Sequence, residues 1–159
     1  MLVLGRPAYR EYFVGLGLAL VGQAIRVWAA GSISKARKLA TSGPFAFVRN
    51  PLYIGSLFII AGYSLMTNRI EVWAPIVLAF IATHWGAVVW EEGFLRSLFG
   101  ETFDDYCRRV PRLIPRLTPA YPVSGFSLRQ AWVNREQISA LGTIVVVLVF
   151  ALKLLWSRG

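Results

Sequence analysis

Cysteine, histidine and acidic residues are scarce in this chain of 159 residues. The single cysteine, Cys107, cannot form a disulfide or a metal cluster within one chain, and we interpret it as structural. The single histidine is His84. Only eight Asp and Glu residues accompany 17 Lys and Arg residues, so the formal net charge is +9. We therefore predict no metal site, and the position of each carboxylate is informative.

Apolar residues, in contrast, dominate the chain. They make up 56% of it and give a mean hydropathy of +0.55, which is too apolar for a typical soluble domain of this length. Three runs, 12–30, 72–90 and 138–156, can cross a hydrocarbon core of about 30 Å, and the shorter run 52–67 crosses where the bilayer thins. We predict an all-α integral membrane protein of about four transmembrane helices, with residues 1–159 in a single domain.

The basic residues are distributed unevenly between the predicted loops. The loops 31–51 and 91–137 carry eleven positive charges, against five in the two termini and the short turn at 68–71. The positive-inside rule places both basic loops in the cytoplasm and both termini on the opposite side. Anionic lipids attract such loops, and no aromatic-basic motif for nucleic acid is evident. We predict membrane lipids as partners, and no nucleic acid.

The start of the second run has the chemistry of a helix N-terminus. Asn50 is suited to cap the free backbone amides, and Pro51 lacks the amide that would go unsatisfied at the first helical position. The remaining amides favour an anion. The turn at 41–44 and the aromatic Phe45 and Phe47 allow the preceding loop to fold over a ligand. A plain capped helix with aromatic anchors explains these residues equally well.

A pair of carboxylates, Glu91 and Glu92, follows the third run at the membrane boundary, where ionisable groups are costly and usually functional. Neighbouring residues of a helix point in different directions, so one can face a ligand while the other pairs with a basic residue. Apolar residues recur at helical spacing over 94–106, which predicts a helix in the cytoplasmic interface. Ser127 and Gln130 resemble a capping box at the start of one long last helix.

Other residues of the runs allow two interpretations each. His84 suits a bond between helices or a contact with a substrate, and Arg26 is predicted to extend to the interface. Small residues permit close helix approach, either within one chain or in a dimer. These small residues are Gly15, Ala19, Gly22, Gly55 and Gly62.

Several separate motifs carry a family resemblance. They are Leu39 to Phe45, Arg49 to Gly55, Glu91-Glu92, Leu98 to Glu101, and Tyr106 with Arg109 to Pro111. In this order they resemble the isoprenylcysteine carboxyl methyltransferase and phospholipid methyltransferase superfamily, over about residues 36–115. The resemblance implies a membrane-embedded enzyme that uses S-adenosylmethionine and takes a lipophilic acceptor from the bilayer. That acceptor would be a prenylcysteine carboxylate, a phospholipid amine or another isoprenoid or lipid.

The resemblance also implies a set of cofactor-binding residues. The family motif Arg-His-Pro-x-Tyr-x-Gly and the Glu pair correspond here to Arg49, Asn50, Pro51, Tyr53, Gly55, Glu91 and Glu92, preceded by Leu39 and Phe45. Asn50 replaces the usual histidine, so cofactor holding survives while a proton transfer near neutral pH does not. Relatives often carry an arginine just before the Glu pair, and its absence here weakens a prenylcysteine carboxylate as acceptor. We predict His84 and Arg109 as acceptor contacts.

The chemistry of methyl transfer limits the roles of the carboxylates. A carboxylate against the sulfonium would stabilise the ground state more than the transition state, so the Glu pair is expected on the cofactor's ammonium or ribose hydroxyls. Rate would come from in-line positioning and exclusion of water. Glu92 is the predicted base for an amine acceptor, and Arg49 is the second predicted catalytic residue. A membrane reductase of isoprenoid or steroid type and a non-catalytic scaffold remain alternatives.

Overall fold

The computed structural model describes residues 8–33 and 38–156, which form six α-helices joined by turns and extended segments. Lys35, Ala36 and Arg37, which contribute to the predicted basic loop and the start of the predicted cofactor region, lie outside the described residues. The helices are α1 (Tyr9–Ser32), α2 (Pro51–Met66), α3 (Ile70–Phe99), α4 (Glu101–Arg109), α5 (Leu128–Val133) and α6 (Glu136–Trp156), with a 3₁₀ turn at Gly43–Ala46 before α2.

Three of these helices, α1, α3 and α6, are long and apolar enough to cross a membrane. The described part of the chain contains no strand, and the prediction of an all-α membrane protein is confirmed. Helix α2 is apolar but has only 16 residues, or about 24 Å at 1.5 Å per residue. It is therefore the short helix that the sequence predicts, and it needs a thinned bilayer if it is to cross.

Helices α1 and α2 pack with their backbones in close contact, because glycines face each other across the interface. A Cβ on Gly22 would lie 2.5 Å from the carbonyl oxygen of Gly55, and one on Gly15 would lie 2.5 Å from that of Gly62. Small residues are how membrane helices approach each other when no hydrophobic force between them is available. The predicted small-residue contact therefore lies within one chain.

An ion pair joins α1 to the start of α6. Arg26 donates from Nε to Glu136 Oε1 at 2.8 Å and from its Nη2 to Oε2 at 2.9 Å, while Nη1 donates to Ser56 on α2. Glu136 is buried and Arg26 is mostly buried. A carboxylate and a hydroxyl therefore bind the guanidinium of Arg26, and its predicted extension to the interface stays a prediction.

Helix α3 is longer than the third apolar run. It begins at Ile70, after a turn in which Asn68 has φ 51°, and it continues through the Glu pair to Phe99. Its 30 residues span about 45 Å, which exceeds the hydrocarbon core by about ten residues. Glu91 and Glu92 therefore lie on the same continuous helix as the third apolar run. The expected turn at 68–71 ends earlier, at Arg69.

The predicted interfacial helix over 94–106 is divided in two. Its first part belongs to α3, and Gly100 then ends α3 with φ 50° and ψ −127°, a conformation that only glycine adopts without strain. Helix α4 follows, with Phe103 and Tyr106 buried on one face. The prediction of a single helix over 94–106 is wrong, but a short amphipathic helix, α4, is present after the apolar helices.

The last helix is also divided. Ser127 Oγ accepts a hydrogen bond from the backbone N–H of Gln130, as its cap position predicts, but α5 ends at Val133. Asn134 then donates to the carbonyls at the end of α1, and Arg135 has φ 61°. The prediction of one long last helix is wrong, and the break brings Glu136 to the first turn of α6, within reach of α1.

A proline-rich segment, residues 111–127, connects α4 to α5, and we call it the strap. Its backbone binds the segment that precedes α2. Pro111 accepts from the N–H of Arg49 at 2.9 Å, and Arg116 donates to the carbonyl of Phe47 at 3.0 Å. Ala120 donates to the carbonyl of Ala46 at 2.9 Å. The strap therefore covers the residues that lead into α2.

Candidate active site

The centre of the candidate site is the carboxylate of Glu92, whose residue is only 5% exposed. Its Oε1 accepts from Asn50 Nδ2 at 3.0 Å and lies 3.3 Å from Arg49 Nε. Its Oε2 accepts from Nε and Nη2 of Arg112 at 3.0 and 2.8 Å. Groups from α3, the start of α2 and the strap therefore converge on one buried carboxylate.

Asn50 stands at the N-cap of α2 and Pro51 at its first position, as predicted, but the side chain of Asn50 makes no capping bond. Its amide nitrogen donates instead to Glu92 and, at 3.2 Å, to the backbone carbonyl of Arg112. The capping interaction predicted for Asn50 is wrong: its side-chain oxygen accepts no backbone N–H of α2, and its amide nitrogen donates instead to a buried carboxylate on α3 and a strap carbonyl.

Arg49 holds a buried donor that has no acceptor. Its Nε is inaccessible to solvent and makes no hydrogen bond, although it lies 3.3 Å from Glu92. The side chain of Arg49 is 12% exposed and that of Arg112 is 37% exposed. Two guanidinium groups therefore share a single carboxylate, which leaves a surplus positive charge beside Glu92.

Glu91 faces a different partner from Glu92, as their adjacent positions on a helix require. Its Oε2 accepts a hydrogen bond from the hydroxyl of Tyr53 on α2 at 3.0 Å. Glu92, in contrast, pairs with basic residues. The expectation that the two carboxylates diverge agrees with this geometry.

A cavity of about 360 Å³ lies between α2, α3 and the strap, and we call it the α2–α3 cleft. Its walls are mainly aliphatic and aromatic, and the polar side chains among them are those of Tyr53 and His84. The His84 ring meets the Tyr53 ring edge-on at 5.8 Å, and its Nδ1 lies 2.9 Å from the carbonyl of Phe80. His84 therefore lines the cleft from α3.

The other predicted site residues lie elsewhere. Leu39 packs against the buried face of α4, and Phe45 is buried with its carbonyl accepting from the Tyr106 hydroxyl at 2.8 Å. Burial raises the pKa of Tyr106, which keeps that donor protonated.

Gly55 faces α1 rather than the Glu pair. Arg109 is exposed, with its guanidinium 5.9 Å from the Tyr121 ring. Among the residues that the structure describes, no hydrogen bond or ion pair joins any of these four predicted site residues to Glu92.

Sequence reasoning missed Arg112, counting it only as a loop charge. Its guanidinium pairs with Glu92 and lies 5.4 Å from the ring centre of Trp85 on α3. The hydrogen bond to Glu92 raises the pKa of Arg112 above its usual value, so this side chain is always charged. The position in an irregular loop, 20 residues from Glu92, offers no periodicity that would reveal the contact.

Within residues 8–33 and 38–156, no group of three His, Cys, Asp or Glu side chains is placed to bind a metal ion. The ionic groups of the site are instead two arginines and two glutamates.

This fold and site define an all-α integral membrane protein with a buried carboxylate centre where two of its helices meet an extended segment. The chain belongs to the phospholipid methyltransferase family, because residues 10–102 match that family's model. The resemblance noted from the sequence motifs is thereby confirmed.

Curated proteins of related sequence include two heavy-metal resistance proteins. The cobalt-zinc-cadmium resistance protein CzcN of Cupriavidus metallidurans is 37% identical over 144 residues, covering 87% of this chain and 65% of the relative. The nickel-cobalt-cadmium resistance protein NccN of Alcaligenes xylosoxydans xylosoxydans is 40% identical over 107 residues, covering 66% of this chain and 48% of the relative.

A third relative is named as an enzyme. The protein-S-isoprenylcysteine O-methyltransferase of Schizosaccharomyces pombe is 26% identical over 112 residues, covering 70% of this chain and 48% of the relative. The chain thus spans between about half and two thirds of the length of these three relatives. No solved structure matches the chain significantly.

Proposed function

We propose that this protein transfers a methyl group from S-adenosylmethionine to a lipophilic acceptor held in the membrane. The observation that carries the proposal is the buried carboxylate of Glu92, ringed by Asn50, Arg49 and Arg112, together with an apolar cleft. Membership of the phospholipid methyltransferase family supports methyl transfer over the reductase and scaffold interpretations.

The residues of the site fit the amino-acid end of this cofactor. That end carries an ammonium and a carboxylate, and the site offers a buried glutamate for the first and arginines for the second. The Nε of Arg49, which is buried without a hydrogen bond, is a donor that a bound anion would satisfy. Asn50 and Arg112 already donate to Glu92, and we assign this carboxylate to hold the cofactor's ammonium.

When bound, S-adenosylmethionine supplies a methyl group on a positively charged sulfonium. The protein itself is proposed to align the two reactants and to exclude water from them. Tyr53 lines the cleft and donates a hydrogen bond to Glu91, and the acceptor and the methyl group are proposed to meet beside this pair. In-line alignment accounts for much of such a rate, and the strap is proposed to help exclude water from the site.

The acceptor is proposed to enter the α2–α3 cleft from the bilayer. Its walls are almost wholly apolar, so a lipid or isoprenoid chain gains free energy by lying there. His84 is proposed to contact the acceptor's polar end. The cofactor side is proposed to face the cytoplasm, on the basis of the positive-inside rule. Arg109 is exposed on α4, which leaves it a weaker candidate for an acceptor contact.

Calorimetric binding of S-adenosylhomocysteine to the detergent-purified protein tests this proposal. We expect micromolar binding by the wild type and at least a tenfold loss in Glu92→Gln, because the amide removes the charge that would hold the ammonium. Glu71→Gln is the matched control, since Glu71 is exposed at the far end of α3 and should bind as the wild type does.

A methyl-transfer assay completes the test. Radiolabelled S-adenosylmethionine is supplied with membrane lipid extract, and label in the lipid fraction is measured for the wild type and Glu92→Gln. The proposal would be contradicted if thermal unfolding shows that the wild-type protein is folded and this protein binds no S-adenosylhomocysteine.

A further inference from the structure

The side chain of Arg112 occupies the very carboxylate that the proposed cofactor would need. We propose that Arg112 exchanges partners when the cofactor binds: it releases Glu92 to the cofactor's ammonium and takes the cofactor's carboxylate. This inference rests on the proposed function and adds a specific cofactor-recognising residue to it.

The crowding around Glu92 favours such an exchange. An ionised carboxylate has about four lone-pair sites, and four nitrogen atoms already surround this one, three of which donate hydrogen bonds to it. They are Nε and Nη2 of Arg112, Nδ2 of Asn50 and, at ion-pair distance, Nε of Arg49. An ammonium brings three N–H donors, so it gains room at Glu92 when one of these groups leaves.

Exposure identifies Arg112 as the group that leaves. Asn50 is 7% exposed, and the side chain of Arg49 is 12% exposed. The side chain of Arg112 is 37% exposed and is therefore the one of the three with space to move. Its main chain stays in place, because its carbonyl accepts from Asn50 and the preceding Pro111 carbonyl accepts from the Arg49 N–H. The exchange is thus confined to a side chain.

Charge supplies the new partner. Once separated from Glu92, Arg112 remains charged and needs an anion, while Arg49 continues to neutralise Glu92. In the cofactor's amino-acid end the carboxylate and the ammonium are bonded to the same carbon, so binding at Glu92 brings an anion within reach of the displaced guanidinium. A guanidinium fork binds a carboxylate through two parallel hydrogen bonds. The positive and negative groups then alternate from Arg49 through Glu92 and the cofactor to Arg112.

Two ligands separate this role from a structural one. Binding is measured by calorimetry for S-adenosylhomocysteine and for its decarboxylated analogue, which keeps the ammonium and lacks the carboxylate. For Arg112→Gln we expect about a 10- to 100-fold loss of affinity for S-adenosylhomocysteine, since a charge-assisted pair is lost. Affinity for the decarboxylated analogue should be unchanged or higher, because Glu92 no longer has a competitor.

Two further variants keep the result interpretable. Arg108→Gln removes an exposed arginine that pairs with Asp105 on α4, and it should bind both ligands as the wild type does. Arg112→Lys keeps the charge without the fork, and its loss for S-adenosylhomocysteine should be intermediate. Thermal unfolding of each variant confirms that it is folded.

The outcomes are distinct. Equal losses for both ligands in folded Arg112→Gln, or no loss for either, would overturn the exchange while leaving the methyltransferase proposal intact. Failure of the folded wild type to bind S-adenosylhomocysteine would overturn both.

Discussion

Gly55 has two competing explanations that one pair of substitutions can separate. The family resemblance assigns it to the cofactor site, whereas the structure places its Cα against α1. A Cβ at Gly55 would lie 2.6 Å from Cγ of Arg26 and 2.7 Å from the carbonyl oxygen of Gly22. A Cβ at Gly22 would lie 2.5 Å from the carbonyl oxygen of Gly55. Gly55→Ala and Gly22→Ala therefore press the same two backbones apart from opposite sides.

The cost of each substitution follows from these distances. Ordinary contacts of a Cβ begin at 3.4 Å, so the helices must separate by roughly 1 Å, and a backbone carbonyl cannot turn aside as a side chain can. Overpacking of this kind costs about 1–3 kcal/mol. Gly17→Ala is the control on α1, because a Cβ there meets nothing within 4 Å. Replacing glycine by alanine inside a helix also improves helix propensity by about 1 kcal/mol. Gly22→Ala should therefore be less stable than Gly17→Ala by about 1–3 kcal/mol.

Thermal unfolding in detergent and S-adenosylhomocysteine calorimetry are the two assays. If Gly55 acts through packing, Gly55→Ala and Gly22→Ala should lose stability and affinity together, because α2 carries Tyr53 near its start. Gly55→Ala that is stable but does not bind, beside Gly22→Ala that binds normally, would refute the packing explanation and show a cofactor contact. Stabilities equal to that of Gly17→Ala would refute the close approach of α1 and α2.

Three further predictions concern polar contacts. Glu136→Gln should cost about 3 kcal/mol in thermal unfolding, because Arg26 loses its charged partner inside the bundle. Asn50→Leu should cost about 1–3 kcal/mol and weaken S-adenosylhomocysteine binding in calorimetry, because it removes a donor from Glu92. Tyr106→Phe should cost about 1 kcal/mol at pH 8 through its lost hydrogen bond. Burial raises the pKa of Tyr106 above its ordinary value of 10.0. The contribution of the Tyr106 hydroxyl to stability is therefore complete below pH 10 and is lost as the pH rises above 10. The stability difference between the wild type and Tyr106→Phe should shrink in unfolding measured above pH 10.

The positions of the helices were predictable because apolar runs report directly on what a bilayer requires. The run 52–67 corresponds to α2 within one residue at each end, and the run 138–156 lies within α6. The different directions of Glu91 and Glu92 follow from helical geometry alone. Such features depend on a single helix and its surroundings, and they need no knowledge of what packs against it.

The breaks between helices were not predictable, because they depend on contacts from distant residues. Gly100 and Arg135 interrupt patterns that continue as helices in the sequence, and each takes a positive φ. Arg135 does so where Asn134 binds the end of α1 and Glu136 reaches Arg26. The same reason hid Arg112, whose importance comes from the strap lying across the start of α2.

The strap connects the two halves of the proposed reaction. Arg112 contacts Glu92, and the next two residues, Leu113 and Ile114, line the α2–α3 cleft. Under the proposed function, one short segment therefore touches the cofactor's amino-acid end and the acceptor's apolar chain. Because the strap's backbone is bonded to the residues before α2, the two ligands would be held relative to a common frame. Methyl transfer requires the methyl group and its acceptor to be aligned with each other. Contact with one segment would limit the movement of one ligand relative to the other.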